Sequence, residues 1–150
     1  MIELAVLSDA KKLTEIALRS KAFWGYSSEQ IKNWTADLTV SEKMIQEMIV
    51  YKCILETEII GFYILNQPKE KTIELEFLFV LPKFMGKGIG NKLITHAFEK
   101  AISLKCNSIN LLADPNAVPF YESKGFIIID QKESAIFGRF LPVMQKDLIQ

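Results

Sequence analysis

The stretch FVLPKFMGKGIGNKL, residues 79–93, sets Gly86, Gly88 and Gly90 into five consecutive positions. An apolar strand-like run precedes them and an apolar helix-like run follows. Ordered glycine carries a backbone-entropy cost, so this cluster marks a place where the main chain turns sharply or is approached closely. Pro82 ends the strand, because proline cannot extend a ladder. A helix start offers N–H groups that favour an anion, by about 0.3–1 kcal/mol from the dipole alone. Lys83, Lys87 and Lys92 add positive potential nearby. Taken alone, the residues leave two readings open: a phosphate cradle, or a tight strand-to-helix turn with no ligand.

Two familiar phosphate motifs do not fit. A P-loop requires Ser or Thr after its lysine, but Gly88 follows Lys87 and Leu93 follows Lys92. A dinucleotide fingerprint places its third glycine one position later than Gly90, where Asn91 stands.

Working outward, the 150 residues fit one domain, 1–150, and 49% hydrophobic residues suffice for a core. Lys plus Arg balance Asp plus Glu at 18 each, which argues against a dedicated nucleic-acid binder. Cys53 and Cys106 match no metal-ligand spacing and read as small buried hydrophobes in a reducing compartment. The N-terminus lacks the pattern of a signal peptide, and no apolar run is long enough to span a membrane. The expectation is a cytoplasmic protein, with no metal and no nucleic-acid or membrane partner.

The periodicities predict a mixed α/β domain. IELAVL (2–7) reads as a strand, and Ser8 as the cap of a helix running to about Ala22. Ser27 and Gln30 have capping-box spacing, as do Thr39 and Glu42 before a short helix. IVYKCILE (49–56) and IIGFYIL (59–65) predict a hairpin, NQPKEK (66–71) a loop and TIELEFLFVLP (72–82) a strand. A helix is expected from the glycines to about Leu104, then a strand at 108–113 and a short helix at 115–124. Strands at 125–130 and around 139–147 finish the chain.

The glycine loop does not stand alone. LEFLFVLPKFMGKGIGNKL, followed by ADPNAVPFYESKGF, resembles the GNAT superfamily of acetyl-CoA-dependent N-acetyltransferases. That family's signature, Q/R-x-x-G-x-G/A, falls on Met85, Gly88 and Gly90, with Met85 in place of the usual polar residue. The later motif falls on Ala117, Phe120, Tyr121, Gly125 and Phe126; Asp114 stands where many members carry Asn. FWGYSSEQI and GRFLPVMQKDL also look like a bacterial branch, so the resemblance covers nearly the whole chain.

The resemblance implies a central, mostly antiparallel sheet splayed between its fourth and fifth strands and flanked by helices. It implies that backbone N–H groups of Met85, Gly86, Lys87, Gly88, Ile89, Gly90 and Asn91 bind the pyrophosphate of acetyl-CoA, with Asn116 nearby. It also implies a free N–H near Leu78, Phe79 or Val80 facing the thioester carbonyl, and Tyr121 as the acid for the leaving thiolate. Glu74 and Glu76 share a strand face by two-residue alternation. Either fits a base for the acceptor amine, and both also fit a solvent-facing pair. Phe23, Trp24 and Tyr26 read either as an acceptor wall, joined by Arg139 or Phe140, or as pins between helices and sheet. His96 lacks metal partners or a triad and reads as structural.

The implied activity is acetyl transfer to a primary amine of a small molecule or peptide, by a monomer or homodimer. The alternatives are a non-catalytic CoA-binding domain of the same fold and a different nucleotide-phosphate enzyme. Acetyl-CoA at about 100 times its Kd is expected to add about 2.7 kcal/mol of stability in a thermal-shift measurement, and Gly88→Glu to abolish that gain. Stabilisation by ATP or NAD, with none by acetyl-CoA, would defeat the resemblance.

Overall fold

The computed structural model describes residues 1–133 and 140–148. Its strands are β1 (Ile2–Leu4), β2 (Ile49–Leu55), β3 (Glu58–Leu65), β4 (Thr72–Val80), β5 (Ser108–Leu112), β6 (Ile127–Glu133) and β7 (Phe140–Asp147). Its α-helices are α1 (Ala10–Phe23), α2 (Ser28–Leu38), α3 (Glu42–Glu47), α4 (Ile89–Ser103) and α5 (Val118–Ser123). The strand order is β1-β2-β3-β4-β5-β7-β6, with β4 and β5 parallel. This is the mixed α/β fold that the sequence predicts. The parallel register joins Thr72, Ile73 and Glu74, the first three residues of a nine-residue strand, to Ser108, Ile109 and Asn110.

Three local expectations are corrected. β1 stops at Leu4, and Leu7–Asp9 forms a 3₁₀ turn, so α1 begins at Ala10 rather than after Ser8. Asp9 is the cause: its Oδ2 accepts the Val6 N–H at 2.8 Å and Lys52 Nζ at 2.7 Å, folding the chain inward before the helix. Ser41, not Thr39, caps α3, accepting the Met44 N–H at 3.1 Å. The Thr39 hydroxyl is instead committed to the Thr35 carbonyl at the end of α2, at 2.6 Å. Ser27 and Gln30 do form the predicted capping box. Arg139, the expected start of the last strand, lies outside the described residues.

The described chain divides into two units, each with its own packing. The first comprises Met1–Leu65 and Phe77–Ala97. β2 and β3 form the predicted hairpin, turning at Glu56 (φ +58°) and Thr57, and β1 pairs antiparallel with β2. Leu13, Ile16 and Ala17 of α1 pack with Phe62 and Ile64 of β3, Phe77 of β4 and Leu81. Each large aliphatic or phenyl side chain buried this way contributes about 1.5–3 kcal/mol. Thr14 fastens α1 to the next segment, its hydroxyl accepting the Val40 N–H at 2.8 Å.

The second unit comprises Asn66–Glu76 and Phe98–Gln150. Here β7 pairs antiparallel with both β5 and β6. Lys69 and Thr72 exchange backbone hydrogen bonds around Glu70 (φ +60°), which delivers the chain into β4. The Thr72 and Ser108 hydroxyls meet at 2.9 Å across the parallel ladder. Phe126 is the buried anchor, packed against the rings of Phe98 and Tyr121. β6 is exposed along its length, and its register slips between Ile128 and Asp130.

One glycine of the first unit is demanded by space. A Cβ on Gly61 of β3 would lie 3.0 Å from the Phe79 carbonyl oxygen and 3.1 Å from Leu93 Cδ1. Gly61→Val is therefore expected to destabilise by about 1–3 kcal/mol, read as a lower urea midpoint. An unchanged midpoint would show that β4 and α4 yield freely at this contact.

Candidate functional site

The buried positions of β4 explain how one strand leads into the glycine loop. Ile73, Leu75 and Phe77 are buried in strict alternation, and the next buried residue is Val80. The inward phase thus slips by one across Leu78 and Phe79, both half-buried, which is what an extra residue in a strand produces. The Leu81 N–H then donates to the Ile60 carbonyl at 2.8 Å, holding the strand end to β3.

Beyond it the main chain makes a 3₁₀ turn over Pro82–Phe84, extends at Met85, and passes Gly86 (φ +76°) and Gly88 (φ +82°) before α4. A Cβ on either glycine would meet nothing within 4 Å. These glycines answer to backbone conformation and leave open space beside the main chain. α4 begins with the Lys92 N–H donating to the Gly88 carbonyl at 3.1 Å, so Ile89 and Gly90 occupy its first turn. Lys83 and Lys87 place their ammonium groups 5.7 and 5.8 Å from the Phe84 ring centre. An open, glycine-lined helix start flanked by lysines fits a pyrophosphate. One expected donor differs: the Met85 N–H is engaged with the Pro82 carbonyl at 3.2 Å.

In the second unit, Glu74 and Glu76 are exposed on one face of β4, opposite buried Ile73 and Leu75. Desolvation pushes the Glu76 carboxyl up to about 7, and the hydrogen bond and negative charge of Glu74 add to the shift. Asn66 and Lys132 pull the other way; Asn66 donates through Nδ2 to Glu76 Oε1 at 3.3 Å. Sequence reasoning missed Asn66, which it placed in a surface loop; only the fold brings residue 66 beside residue 76.

Tyr121 is buried in α5, edge-on to Phe120 and Phe126 at ring separations of 5.3 and 5.5 Å. Burial raises its hydroxyl above the usual phenol range, and the negative charge of Asp114 raises it further. Asp114 also caps the 3₁₀ turn Pro115–Ala117, its Oδ1 accepting the Asn116 N–H at 2.9 Å. Asn116 itself is exposed.

The aromatic residues do not form the single cluster that their sequence spacing suggests. Phe23 and Trp24 pair edge-on at 5.4 Å and stay largely exposed. Tyr26, redirected through Gly25 (φ +85°), packs on Trp34 at 4.8 Å. The Lys21 ammonium lies 5.4 Å from both of those ring centres. His96 lies with Nδ1 2.7 Å from the Tyr63 hydroxyl and its ring against Tyr51, an arrangement that satisfies a buried tyrosine. Among the described residues, no helix is long and apolar enough to cross a membrane.

A family model described as an acetyltransferase (GNAT) domain matches residues 24–148. Solved structures share the fold at low identity. The PaiA N-acetyltransferase of Thermoplasma acidophilum, in complex with coenzyme A, superposes with a TM-score of 0.84 at 22% identity, covering 98% of each chain. A GCN5-related N-acetyltransferase of Rhodopseudomonas palustris gives 0.81 at 20% identity, covering 99% of this chain and 95% of its own. The ribosomal-protein-S18-alanine N-acetyltransferase of Escherichia coli gives 0.75 at 18%, covering 100% and 94%.

The Asp114 charge is separable from its capping role. Asp114→Asn keeps a capping oxygen and removes the charge, so the Tyr121 hydroxyl is expected to titrate at lower pH, still above an ordinary phenol because burial persists. Ring-carbon NMR titration of Tyr121 checks this. An unmoved titration would leave burial as the sole cause.

Proposed function

The chain belongs to the GNAT acetyltransferase family, and we propose that it moves the acetyl group of acetyl-CoA to a primary amine by direct attack. The family model spans both units, which supports reading residues 1–150 as one domain. The observation that carries the proposal is the open junction from Pro82 to Asn91. Its two positive-φ glycines, lysine flanks and helix start fit a pyrophosphate, and a Cβ on either glycine would meet nothing within 4 Å. Cys53 and Cys106 are both buried thiols, which suits a cytoplasmic setting.

Bound acetyl-CoA supplies an acetyl group activated as a thioester. In this reading the first-turn N–H groups of α4, at Ile89 and Gly90, hold its pyrophosphate. Gly86 and Gly88 keep the approach clear, and Lys83 and Lys87 supply positive charge. Met85 contributes less than the family's usual Arg or Gln, having neither a polar side chain nor an uncommitted N–H. The main chain at Leu78, Phe79 and Val80 offers its N–H to the thioester carbonyl. The phase slip of β4 supports this, and one such donor is worth about 2.7–4 kcal/mol where removal has been tested.

A protonated amine must lose a proton before it attacks, and its ordinary pKa is about 10.4. Glu74 and Glu76 take that proton, directly or through water. With Glu76 pushed up to about 7, its ionised fraction grows as pH rises through neutrality, so transfer accelerates over that window. Tyr121, its pKa raised, keeps its proton at physiological pH and presents it to the departing thiolate. Phe23, Trp24 and Tyr26 border the acceptor; the exposed rings of Phe23 and Trp24 suit a cationic or aromatic amine.

Release of free thiol from acetyl-CoA across a panel of small-molecule and peptide amines is expected to identify acceptors. Tyr121→Phe should lower turnover roughly 10²- to 10⁴-fold while acetyl-CoA still binds. Unchanged turnover would remove Tyr121 from the chemistry. Tight acetyl-CoA binding with no turnover on any amine would point to a binding module instead.

A further inference from the structure

We infer that Asn66 is a positioning residue for Glu76, its side-chain amide orienting that carboxylate and steadying the ionised form that takes the proton. The inference rests on the proposed base role of these glutamates, and the geometry that supports it lies wholly in the second unit. Asn66 is held at two points. Its N–H donates to the Glu74 carbonyl at 2.9 Å, placing it beside the strand that carries both carboxylates. Its Oδ1 accepts the Gln67 N–H at 2.9 Å. That second bond fixes the orientation of the amide, because Oδ1 faces a donor and Nδ2 must face the other way. Nδ2 then reaches Glu76 Oε1 at 3.3 Å.

The effect follows from hydrogen-bond chemistry. A carboxyl hydrogen-bonded to a second, negatively charged carboxylate holds its proton more tightly. Glu76 is bonded to Glu74 and also receives the Asn66 amide. An amide N–H can only donate, so it stabilises the ionised form of Glu76 and does nothing comparable for Glu74. The charged groups acting on Glu76 are Glu74 on its own strand, which holds the proton on, and Lys132 of β6, which helps it leave. Asn66 adds a directed bond to this balance and brings the exchange to neutral pH, where a base for amine acetylation is most effective. Without it, Glu76 would stay protonated further into the alkaline range.

The test is a pH titration of the Glu76 side-chain carboxyl by carbon NMR on the full chain, run beside the pH profile of acetyl transfer. Asn66→Ala is expected to raise the Glu76 midpoint by about one pH unit. Asn66→Asp keeps the shape and the Gln67 bond but turns a donor into a third carboxylate, so it should raise the midpoint further. Glu74→Gln should move it the opposite way, downward. The acid limb of the transfer rate is expected to follow in each case. A Glu76 midpoint unmoved by both Asn66 variants would overturn the inference. Midpoints that shift while the acid limb stays still would uphold Asn66 as the residue that sets Glu76 and overturn the base reading. A change in overall rate with neither midpoint nor limb displaced would make Asn66 merely structural, and also overturns the inference.

Discussion

A β-strand has two faces, and β4 uses them differently along its length. Through Phe77 its odd-numbered positions point inward; after Phe79 the buried position is Val80. The glycine junction follows directly from that change of phase. Before it, alternation sets Glu74 and Glu76 outward, where one carboxylate can act on the other. After it, the strand enters Leu81 and Pro82 with its end bonded to Ile60, and the 3₁₀ turn and glycines deliver a helix start. Without the slip, the odd-in phase that keeps Glu74 and Glu76 outward would turn Val80 toward water.

The loop is built from conformational rather than steric demands, and Gly61 is the instructive contrast. Gly61 is small because Phe79 and Leu93 press on it; Gly86 and Gly88 are glycine because φ is positive there, with space beyond. The same residue type thus does two jobs within one unit. A packing glycine holds the strand and helix in place, and conformational glycines shape the turn between them.

Much of this was legible from local pattern. The hairpin at residues 49–65, the capping box at Ser27 and Gln30, and the turn before α4 all depend on neighbours in sequence, and they fall where spacing places them. The misses share a physical cause. Thr39 and Ser41 both have cap chemistry, and only the committed Thr39 hydroxyl decides between them. The early end of β1 depends on Lys52 reaching Asp9 from 43 residues away. Asn66 beside Glu76, and Trp34 beneath Tyr26, are likewise products of chain reversal. The engagement of the Met85 N–H was hidden for a different reason: whether a main-chain donor is occupied depends on turn geometry, which residue identity leaves undecided.

β6 closes the strand order with Ile127, Ile128 and Ile129 at 64%, 44% and 50% exposure. Three consecutive isoleucines on an outermost strand are a template on which other chains could accrete. Asp130, Lys132 and Glu133 follow immediately, and the bulge between Ile128 and Asp130 twists the strand out of flat register. These charges and this kink act as gatekeepers, so the colloidal behaviour of the protein is governed at the margin of the sheet.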